Sequence, residues 1–138
     1  MSETVANEIR GVTYLELADY ASAAAPVLER ALARDEAYSF DDVMAKLWRR
    51  EMQMWVVNDC QAVAVTQIQV YPRFKALQVC WLAGDGVDEW FEDLMETLEN
   101  YAEGMNCRQV EVYGRRGWKR LGEARGYQET MSVFRKIV

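Results

Sequence analysis

An amphipathic helix flanked by two strands constrains the fold of this chain most strongly. Over residues 87–103, apolar side chains recur at alternating intervals of four and three: Val87, Phe91, Leu94, Leu98, Tyr101 and, one step beyond, Met105. This spacing places them on one side of an α-helix, and that side must be buried against another element. The preceding "KALQVCWLAG" and the following "CRQVEVYG" have the composition of strands. The region therefore predicts a β–α–β unit.

The residues before this unit predict one strand, two helices and a hairpin. Residues 9–14 fit a short strand, and residues 15–34 fit a helix that Pro26 should kink or divide. "YSFDDVMAKLWRR" predicts a second helix, with Ser39 as its N-cap and Asp42 as the capping-box partner. "QMWVVND" and "CQAVAVTQIQVYP" predict two strands joined at Asn58-Asp59. Together with the third strand, they form an antiparallel meander.

The residues after the unit predict one more helix and one more strand. "RRGWKRLGEARGY" indicates a short helix that closes on Gly126, and "QETMSVFRKIV" indicates a last strand. The order β–α–α–β–β–β–α–β–α–β predicts an α/β (α+β) fold, with helices packed on a mixed, mostly antiparallel sheet. With 138 residues, the chain is expected to form a single domain, 1–138.

Composition excludes several classes of function. The chain has no histidine, which excludes His-based triads, His general bases and His metal ligands. Its three cysteines form no CxxC motif and are expected to be free thiols, and its acids lack EF-hand spacing, so no metal site is expected. Neither a signal peptide nor a membrane-length apolar stretch is visible, so the cytoplasm is the expected location, with no membrane partner.

Charge is distributed unevenly along the chain. Residues 85–105 contain eight acids and no base, whereas residues 108–136 contain eight bases and three acids. This asymmetry favours self-association or a charged protein partner, and two solvated faces are the alternative interpretation. Because the net charge is −6, a dedicated nucleic-acid binder is disfavoured.

A basic cluster and one tryptophan are the candidates for a partner interface. The cluster consists of Arg115, Arg116, Trp118, Lys119 and Arg120. It suits an acidic protein surface, including the acidic helix of this chain or of a neighbour, although a phosphate or nucleic acid is also compatible. Trp90 lies one position off the apolar stripe, so it either contacts a partner or widens the side that faces the core.

The element order, together with "GRRGWKRLGEARGYQETMSVFRKIV" after an acidic helix, resembles the GNAT superfamily of acetyl-CoA-dependent N-acetyltransferases. The resemblance covers residues 9–138 as topology, is most specific over 76–136, and implies a GNAT-like sheet with helices on both faces. More narrowly, "YSFDDVMAKLWRREMQMWVV" and "GRRGWKRLGEARGY" look like the small GNAT-like proteins encoded among tailed-phage virion genes.

The resemblance places acetyl-CoA, if it binds, on the fourth strand and the turn that follows it. The backbone of Val79 and Trp81 and the glycines Gly84 and Gly86 would contact the cofactor. The family's Arg/Gln-x-x-Gly-x-Gly/Ala loop has no Arg or Gln here. Four carboxylates occupy that interval instead: Asp85, Asp88, Glu89 and Glu92. Since a pyrophosphate would meet like charges, the cofactor is expected to be disfavoured.

The family's acid–base positions are also not matched. A carboxylate on the fourth strand is missing, and Glu111 on the next strand is the nearest substitute, although ordinary strand surface is its more frequent role. Aligning Gly126-Tyr127 with the family's ending places Gly122 where the family has a tyrosine acid, and Tyr127 becomes a packing aromatic. No catalytic residue is therefore assigned.

Two hypotheses follow from this comparison. The first is a non-catalytic GNAT-like structural or interaction protein without a cofactor, associated with a bacteriophage virion, which contacts other virion proteins or copies of itself. Such a protein would be made in the host cytoplasm and then enter the virion. The alternative is an acetyl-CoA-dependent N-acetyltransferase that acts on a small-molecule or protein amine and relies on orientation of its substrates.

Overall fold

The computed structural model describes residues 6–114 and 116–138. Its elements follow in the order β1 (Ile9–Val12), α1 (Leu17–Leu32), α2 (Phe40–Trp48), β2 (Gln53–Val57), β3 (Ala62–Val70), β4 (Lys75–Gly84), α3 (Val87–Gly104), β5 (Gln109–Val112) and α4 (Lys119–Ala124). A 3-10 turn at Arg116–Trp118 leads into α4. The predicted β–α–β unit thus corresponds to β4, α3 and β5.

The five strands form one mixed sheet in the order β1-β2-β3-β4-β5. The first four strands are antiparallel neighbours, as expected for a meander, and β5 pairs parallel to β4. The register of β3 against β4 shifts between Val65 and Thr66, which face Trp81 and Val79, so that Cys80 is the extra residue of a β-bulge. The sheet is therefore mixed and mostly antiparallel, as the sequence predicts.

Helices cover both faces of the sheet and create two apolar cores. On one face, α1 and α2 pack on Met54, Val56, Val63 and Val65. On the other, α3 packs on the sheet through Phe91, Leu94 and Leu98 of the predicted stripe.

The buried side of α3 is wider than predicted, since it also includes Trp90, Met95 and Ala102. The prediction that Met105 belongs to this side is wrong, because Met105 follows the end of the helix and is exposed. In residues 6–114 and 116–138, no helix combines the length and the apolar character needed to cross a lipid bilayer.

A capping box explains where α2 begins, and packing explains why α1 continues through Pro26. Ser39 caps α2: its hydroxyl accepts the Asp42 N–H at 3.2 Å, and the Asp42 carboxylate accepts the Ser39 N–H at 2.9 Å, which confirms the predicted capping box. Pro26 lies inside α1, but the helix continues to Leu32. The expectation that Pro26 would divide this helix is therefore wrong, because packing of Leu17, Ala24, Leu28 and Leu32 holds both parts together.

The predicted last strand is also wrong. Residues 128–138 belong to no strand or helix, and all of them are exposed. A strand requires a hydrogen-bonded neighbour as well as suitable residue types, and residues 128–138 pair with no strand of the sheet. Within residues 6–114 and 116–138, the sheet consequently ends at β5 on this side.

Candidate functional site

The turn between β4 and α3 places two glycines against the polypeptide itself. Gly84 pairs with Ala62 of β3, and a Cβ at Gly84 would lie 2.3 Å from the Cβ of Ala62. Gly86 has a left-handed backbone, with φ of 69°, and forms the N-cap of α3 without a side-chain cap hydrogen bond. Both positions thus require glycine for reasons internal to the protein.

Carboxylates surround this turn, and one cation from α1 reaches it. Asp85 and Asp88 are exposed beside the helix start, and the Glu89 carboxylate would lie 3.1 Å from a Cβ on Gly86. The Arg30 guanidinium lies 3.1 Å from the Asp85 carboxylate in an exposed ion pair. The local field is therefore mainly negative, as the sequence predicts, with one basic group that comes from 55 residues away.

An amide network holds the turn from the side of the β2–β3 hairpin. The Gln61 side chain donates to the Asp85 carbonyl at 3.0 Å and to the Glu89 carboxylate at 3.2 Å. Asn58 donates to the Gln61 side-chain oxygen at 2.7 Å, and Asn7 donates to the Glu89 carbonyl at 2.7 Å. These donors are directed at the protein's own acceptors, so an incoming phosphate would have to compete with Glu89 for Gln61.

The two strands that the resemblance associates with the cofactor diverge halfway along β4. Parallel pairing joins Ala76–Val79 to Gln109–Val112, and the Tyr113 N–H donates to the Val79 carbonyl at 3.0 Å. Beyond this point β4 continues to Gly84, while β5 has ended. We call this opening the fork. Along it, residues 80–84 of β4 have no strand neighbour on the β5 side among the described residues.

The predicted cofactor residues on β4 lie on opposite faces of the sheet. The Val79 side chain is buried under α3. Trp81 is buried under α1 and α2, where its indole N–H donates to Asp35 at 2.9 Å and its ring meets Tyr38 edge-on at 5.0 Å. The Trp81 backbone borders the fork, whereas the Val79 carbonyl at its base already accepts the Tyr113 N–H. Contact of these two residues with a cofactor stays a prediction.

A polar cluster occupies the base of the fork, on the face of the sheet that carries α1 and α2. Gln78 of β4 is buried and paired in register with Glu111 of β5. The Gln78 amide donates to Glu111 at 3.0 Å and to the Tyr113 hydroxyl at 2.8 Å. The Tyr71 hydroxyl and the Gln109 amide also donate to Glu111, each at 2.8 Å. The Tyr113 hydroxyl is a fourth and weaker donor, at 3.5 Å, so four side chains orient one carboxylate.

Hydrogen bonding keeps this carboxylate ionised. Burial alone would raise the pKa of Glu111, but the hydrogen bonds from Gln78, Gln109, Tyr71 and Tyr113 outweigh it and lower the pKa below its usual value. Burial and the charge of Glu111 raise the pKa of Tyr113 to about 12. At neutral pH the cluster therefore presents a fixed negative charge beside a protonated phenol.

This cluster has the chemistry of an amine-binding site. An ionised carboxylate attracts an ammonium group and accepts hydrogen bonds from it, and the neighbouring phenols limit its orientation. Because the lowered pKa makes Glu111 a weak base, it binds and orients an amine better than it removes a proton from one. Cys80, at the bulge directly above, is also partly buried, and burial raises the pKa of its thiol to about 11. The thiol therefore stays neutral.

Trp90 is not available to a partner. Its side chain is 0% exposed, and its indole N–H donates to the Asp85 carbonyl at 2.7 Å. The interpretation of Trp90 as an exposed interface residue is therefore wrong, and it widens the side of α3 that faces the core. The hydrogen bond explains the burial, because it satisfies the polar end of the ring while tying α3 to the turn.

The remaining interface candidates lie before and along α4. Trp118 is half-buried and stacks on Phe91, with 6.1 Å between ring centroids. Lys119 and Arg120 are exposed, and the Lys119 ammonium lies 3.3 Å from the Glu129 carboxylate. Arg115 lies outside the described residues, and the side chain of Arg116 is likewise not described. Lys119 and Arg120 stay predictions as partner contacts.

The basic residues 108–136 do contact the acidic helix α3. The contact is made by Arg125, which is not part of the basic cluster before and along α4. The Arg125 guanidinium donates to Glu99 at 2.8 Å and to Glu92 at 2.6 Å, and the Tyr127 hydroxyl donates to Glu99 at 2.8 Å. The hydrogen bond from Arg125 lowers the pKa of Glu99. Part of the charge asymmetry is thus satisfied within one chain, and Tyr127 also packs on the α3 core.

Three groups at the site were not identified from the sequence. Arg30, Gln61 and the tyrosines around Glu111 come from positions that are distant along the chain, and no local motif connects them to the turn or the fork. The only available signal was indirect, since an uncharged Gln78 within an apolar strand indicates a buried polar group that needs partners.

Comparison with known proteins supports the fold. The sequence matches no protein-family model and no curated protein. Solved structures resemble it over nearly its whole length. A ribosomal-protein-alanine N-acetyltransferase from Brucella melitensis biovar Abortus 2308 has 14% identity and a TM-score of 0.72, with 96% of this chain and 99% of that chain covered.

Two other N-acetyltransferases extend the comparison. For glucosamine-6-phosphate N-acetyltransferase from Arabidopsis thaliana, the identity is 13% and the TM-score is 0.69, with 96% of this chain and 99% of that chain covered. An aminoglycoside N-acetyltransferase in complex with CoA has 12% identity and a TM-score of 0.66, with 96% of this chain and 95% of that chain covered. At these identities the similarity concerns the backbone alone. The chain has the fold of the GNAT N-acetyltransferases.

Proposed function

We propose that this chain is an acetyl-CoA-dependent N-acetyltransferase whose acceptor amine binds at Glu111. The observation that supports this most directly is the oriented, ionised carboxylate at the base of the fork. A carboxylate held by four donors at the point where two strands separate is suited to hold a cationic amine. The shared fold of N-acetyltransferases makes acetyl transfer the reaction to test first.

The dimensions of the fork suit an elongated acetyl donor. Gln78, beside Glu111, and Gly84, at the turn, are six residues apart along β4, which corresponds to roughly 20 Å. The open edge of residues 80–84 offers backbone N–H and C=O groups over the last roughly 13 Å of this length, since Gln78 and Val79 are paired with β5. The turn fits a pyrophosphate less well, since Arg30 and Gln61 already bind Asp85 and Glu89. We therefore expect binding to be weak.

In this proposal, acetyl-CoA supplies an activated acetyl group, and the residues of the chain position the amine that receives it. Glu111 binds the ammonium form and directs it toward the fork. The ammonium must then lose one proton to solvent, because its nitrogen needs a free electron pair to form the bond to the acetyl carbon, and Glu111 with its lowered pKa does not retain that proton. Tyr113 keeps its proton at neutral pH, because burial and the nearby Glu111 raise its pKa to about 12, and it is a hydrogen-bond donor at the same place. The rate enhancement then arises mainly from orientation and electrostatics.

The substitution Glu111→Gln tests this role. It preserves shape but removes the charge, so we expect kcat/KM for the amine to fall by about 10–150-fold, the equivalent of the ~1.5–3 kcal/mol of a hydrogen bond to a charged group. Acetyl-CoA affinity should change little, because Glu111 lies roughly 20 Å from the turn. The readouts are release of the CoA thiol in the presence of a panel of primary amines, and calorimetric titration with acetyl-CoA.

A matched control is Glu103→Gln, which removes an exposed carboxylate from the end of α3. This variant should retain the rate of the unmodified chain. If Glu111→Gln and Glu103→Gln have equal rates, Glu111 does not bind the amine, and the proposal for this site is wrong.

The carboxylates at the turn favour a second candidate, a non-catalytic interaction or structural protein. Asp85, Asp88, Glu89 and Glu92 repel a phosphate, and at ~4 Å each such pair costs about 1 kcal/mol in water. The amides at a helix start return only ~0.3–1 kcal/mol. In this alternative the chain contacts other proteins of a phage virion. The resemblance to proteins of tailed-phage virion gene clusters supplies that context.

Calorimetry on charge variants separates the two candidates. If acetyl-CoA binds at the turn, Asp88→Asn should strengthen its affinity up to about fivefold, since removal of one exposed like charge returns roughly 1 kcal/mol. Glu96→Gln is the control, because it lies two turns further along α3, about 12 Å away and beyond the screening length at 0.1 M salt. Absence of heat for all variants at millimolar acetyl-CoA would leave the non-catalytic candidate.

A further inference from the structure

Helices α2 and α3 end in the same hydrogen-bonded motif. Directly after each C-cap, one residue has a left-handed backbone: Arg50 after α2, with φ of 61°, and Asn106 after α3, with φ of 60°. In both cases its N–H and the next N–H donate to carbonyls of the last helical turn, at distances between 2.8 and 3.0 Å. This position of a Schellman motif is usually glycine and sometimes asparagine. Arginine is therefore the residue that needs an explanation.

The side chain of Arg50 lines a cavity of about 260 Å³ beside β1. Leu17 of α1, Leu47 of α2 and Met52, which precedes β2, supply the apolar part of its wall, and all three are buried. The Tyr14 ring, between β1 and α1, also lines it. The cavity is remote from the fork, because β1 and β5 are the first and last strands in the sheet order, four strand spacings or roughly 19 Å apart.

The Arg50 guanidinium is held in place without being neutralised. It lies 3.7 Å above the centroid of the Tyr14 ring, the spacing of two stacked planes, which leaves the N–H groups around its edge available to an acceptor. Within residues 6–114 and 116–138, no carboxylate forms an ion pair with it, and the adjacent Glu51 is directed at Lys46, 3.4 Å away. No described Asp or Glu lines the cavity. In a chain with a net charge of −6, this cavity therefore carries a positive charge.

Gln53, at the start of β2, adds a second donor to the cavity wall. The Trp55 indole donates to the Thr66 hydroxyl at 2.9 Å, and this hydroxyl donates to the Gln53 side-chain oxygen at 2.9 Å. The relay fixes the oxygen of the amide as its acceptor end. In the described part of the chain, no hydrogen bond uses the NH₂ end, so it remains a donor for another group.

We propose that this cavity binds a small carboxylate with an apolar body, and that Arg50 occupies its left-handed position because of this ligand. A planar guanidinium matches a carboxylate with two parallel hydrogen bonds, and the apolar wall receives the rest of the molecule. A backbone outlier that persists beside such a cavity is typical of a ligand site. One guanidinium and one amide suit the single charge of a carboxylate better than the nearly double charge of a phosphate monoester.

The volume of the cavity limits the size of the ligand. About 260 Å³ is the space of roughly nine water molecules at ~30 Å³ each, which suits an acid of about eight or nine non-hydrogen atoms. Such a group is either a free organic acid or the C-terminal residue of a peptide. The two sources share the same chemistry, a carboxylate attached to a short apolar chain.

Calorimetric titration with hexanoate at low salt tests the site. We expect saturable binding with a Kd on the order of 0.1–1 mM, as for a ligand of about eight non-hydrogen atoms. Hexylamine, which has the opposite charge, should not bind. In methyl NMR spectra, the signal of Met52 should shift with hexanoate, whereas that of Met95, in the core under α3, should not. A tripeptide that ends in leucine identifies the source: it binds more tightly than hexanoate if the site receives a peptide C-terminus, and less tightly if the site receives a free acid.

Arg50→Gly is the decisive variant, because it removes the anion-binding group and supplies the residue that the backbone favours. The affinity for hexanoate should fall by about 10–150-fold, the effect of losing a hydrogen bond to a charged group. The melting temperature should stay within about 4 °C of the unmodified chain, since relief of the left-handed backbone offsets the lost stacking on Tyr14. Arg50→Gln, which keeps a side chain at this position, should lose affinity to a similar extent.

The matched control is Asn106→Gly, which makes the same backbone change in the other motif, outside the cavity, and should leave the affinity for hexanoate unchanged. Three results would each overturn the proposal. The first is the absence of saturable hexanoate binding, and the second is equal affinity of the unmodified chain and Arg50→Gly. The third is a melting temperature of Arg50→Gly lower by more than about 4 °C, because stacking on Tyr14 would then explain Arg50 through stability alone. None of these readouts depends on acetyl transfer, so the site is tested independently of Glu111.

Discussion

Replacement of Gly84 by alanine should destabilise the protein, because β3 and β4 approach too closely there for a side chain. An added Cβ would lie 2.3 Å from the Ala62 Cβ, 2.6 Å from the Ala62 Cα and 2.7 Å from the Gln61 carbonyl oxygen. Two of these atoms belong to the backbone of β3, and none is the end of a flexible side chain. Relief therefore requires the two strands to separate at the point where β4 leads into the turn.

The expected cost follows from what must move. Insertion of a methyl group into a well-packed region costs ~1–3 kcal/mol. We expect about 2 kcal/mol or more, since a shift of the strands also strains the pairing of Ala62 with Gly84. For a domain of this size, that corresponds to a melting temperature lower by roughly 5–10 °C.

Urea denaturation followed by circular dichroism measures the free energy of unfolding directly. The matched control is Gly104→Ala at the end of α3, where an added Cβ would meet nothing within 4 Å. That variant should be as stable as the unmodified chain, or more stable by up to ~1 kcal/mol, because alanine favours helix over glycine.

The result that would refute this reasoning is a Gly84→Ala variant within about 0.5 kcal/mol of the unmodified chain, the usual range for a surface substitution. Glycine would then not be required by packing at this position, and close approach of a ligand to the backbone would be the better explanation for its presence. A large loss of stability instead explains Gly84 without any cofactor.

Two further substitutions test local contacts. Ser39→Ala removes the cap of α2 and should cost about 1 kcal/mol in the free energy of unfolding, measured by urea denaturation; a neutral result would contradict the role of the capping box with Asp42. Because the hydrogen bond from Arg125 lowers the pKa of Glu99 below 4.5, this contact stabilises the protein above pH 4.5, and the stabilisation is lost as the pH falls through the lower folded value. Arg125→Met should therefore lose less stability between pH 5 and pH 3 than the unmodified chain, and parallel stability curves would contradict the assignment.

Much of the fold could be predicted because local patterns specify it. The four–three stripe of α3 and the Ser39 cap both depend on residues within one or two turns of each other. The Asn58-Asp59 hairpin depends on a similarly local signal, and Asn58 adopts the positive φ of 51° that such turns require. These features need no knowledge of distant contacts.

Features that depend on distant partners could not be predicted in the same way. Glu111 becomes an oriented carboxylate only because β5 pairs in register with β4, which places it beside Gln78, and because Tyr71 returns from the end of β3. Trp90 can be buried because its indole N–H donates a hydrogen bond to the Asp85 carbonyl. The C-terminal segment has the residues of a strand but lacks a neighbour, and residue type alone does not reveal whether a neighbour exists.

Charge, more than topology, separates the two functions considered for this chain. One like-charge contact at ~4 Å costs about 1 kcal/mol in water, or roughly fivefold in affinity, so two or three uncompensated carboxylates reduce phosphate binding by one to two orders of magnitude. Arg30 offsets one of them, while bound to Asp85. A GNAT fold can thus keep its strands, fork and turn and still lose its donor through a few surface substitutions. The backbone similarity at 12–14% identity is insensitive to those charges. The acids of the turn and the carboxylate of the fork therefore bear on function more directly than the fold does. The acids follow the end of β4, whereas Glu111 lies on β5 beside Gln78.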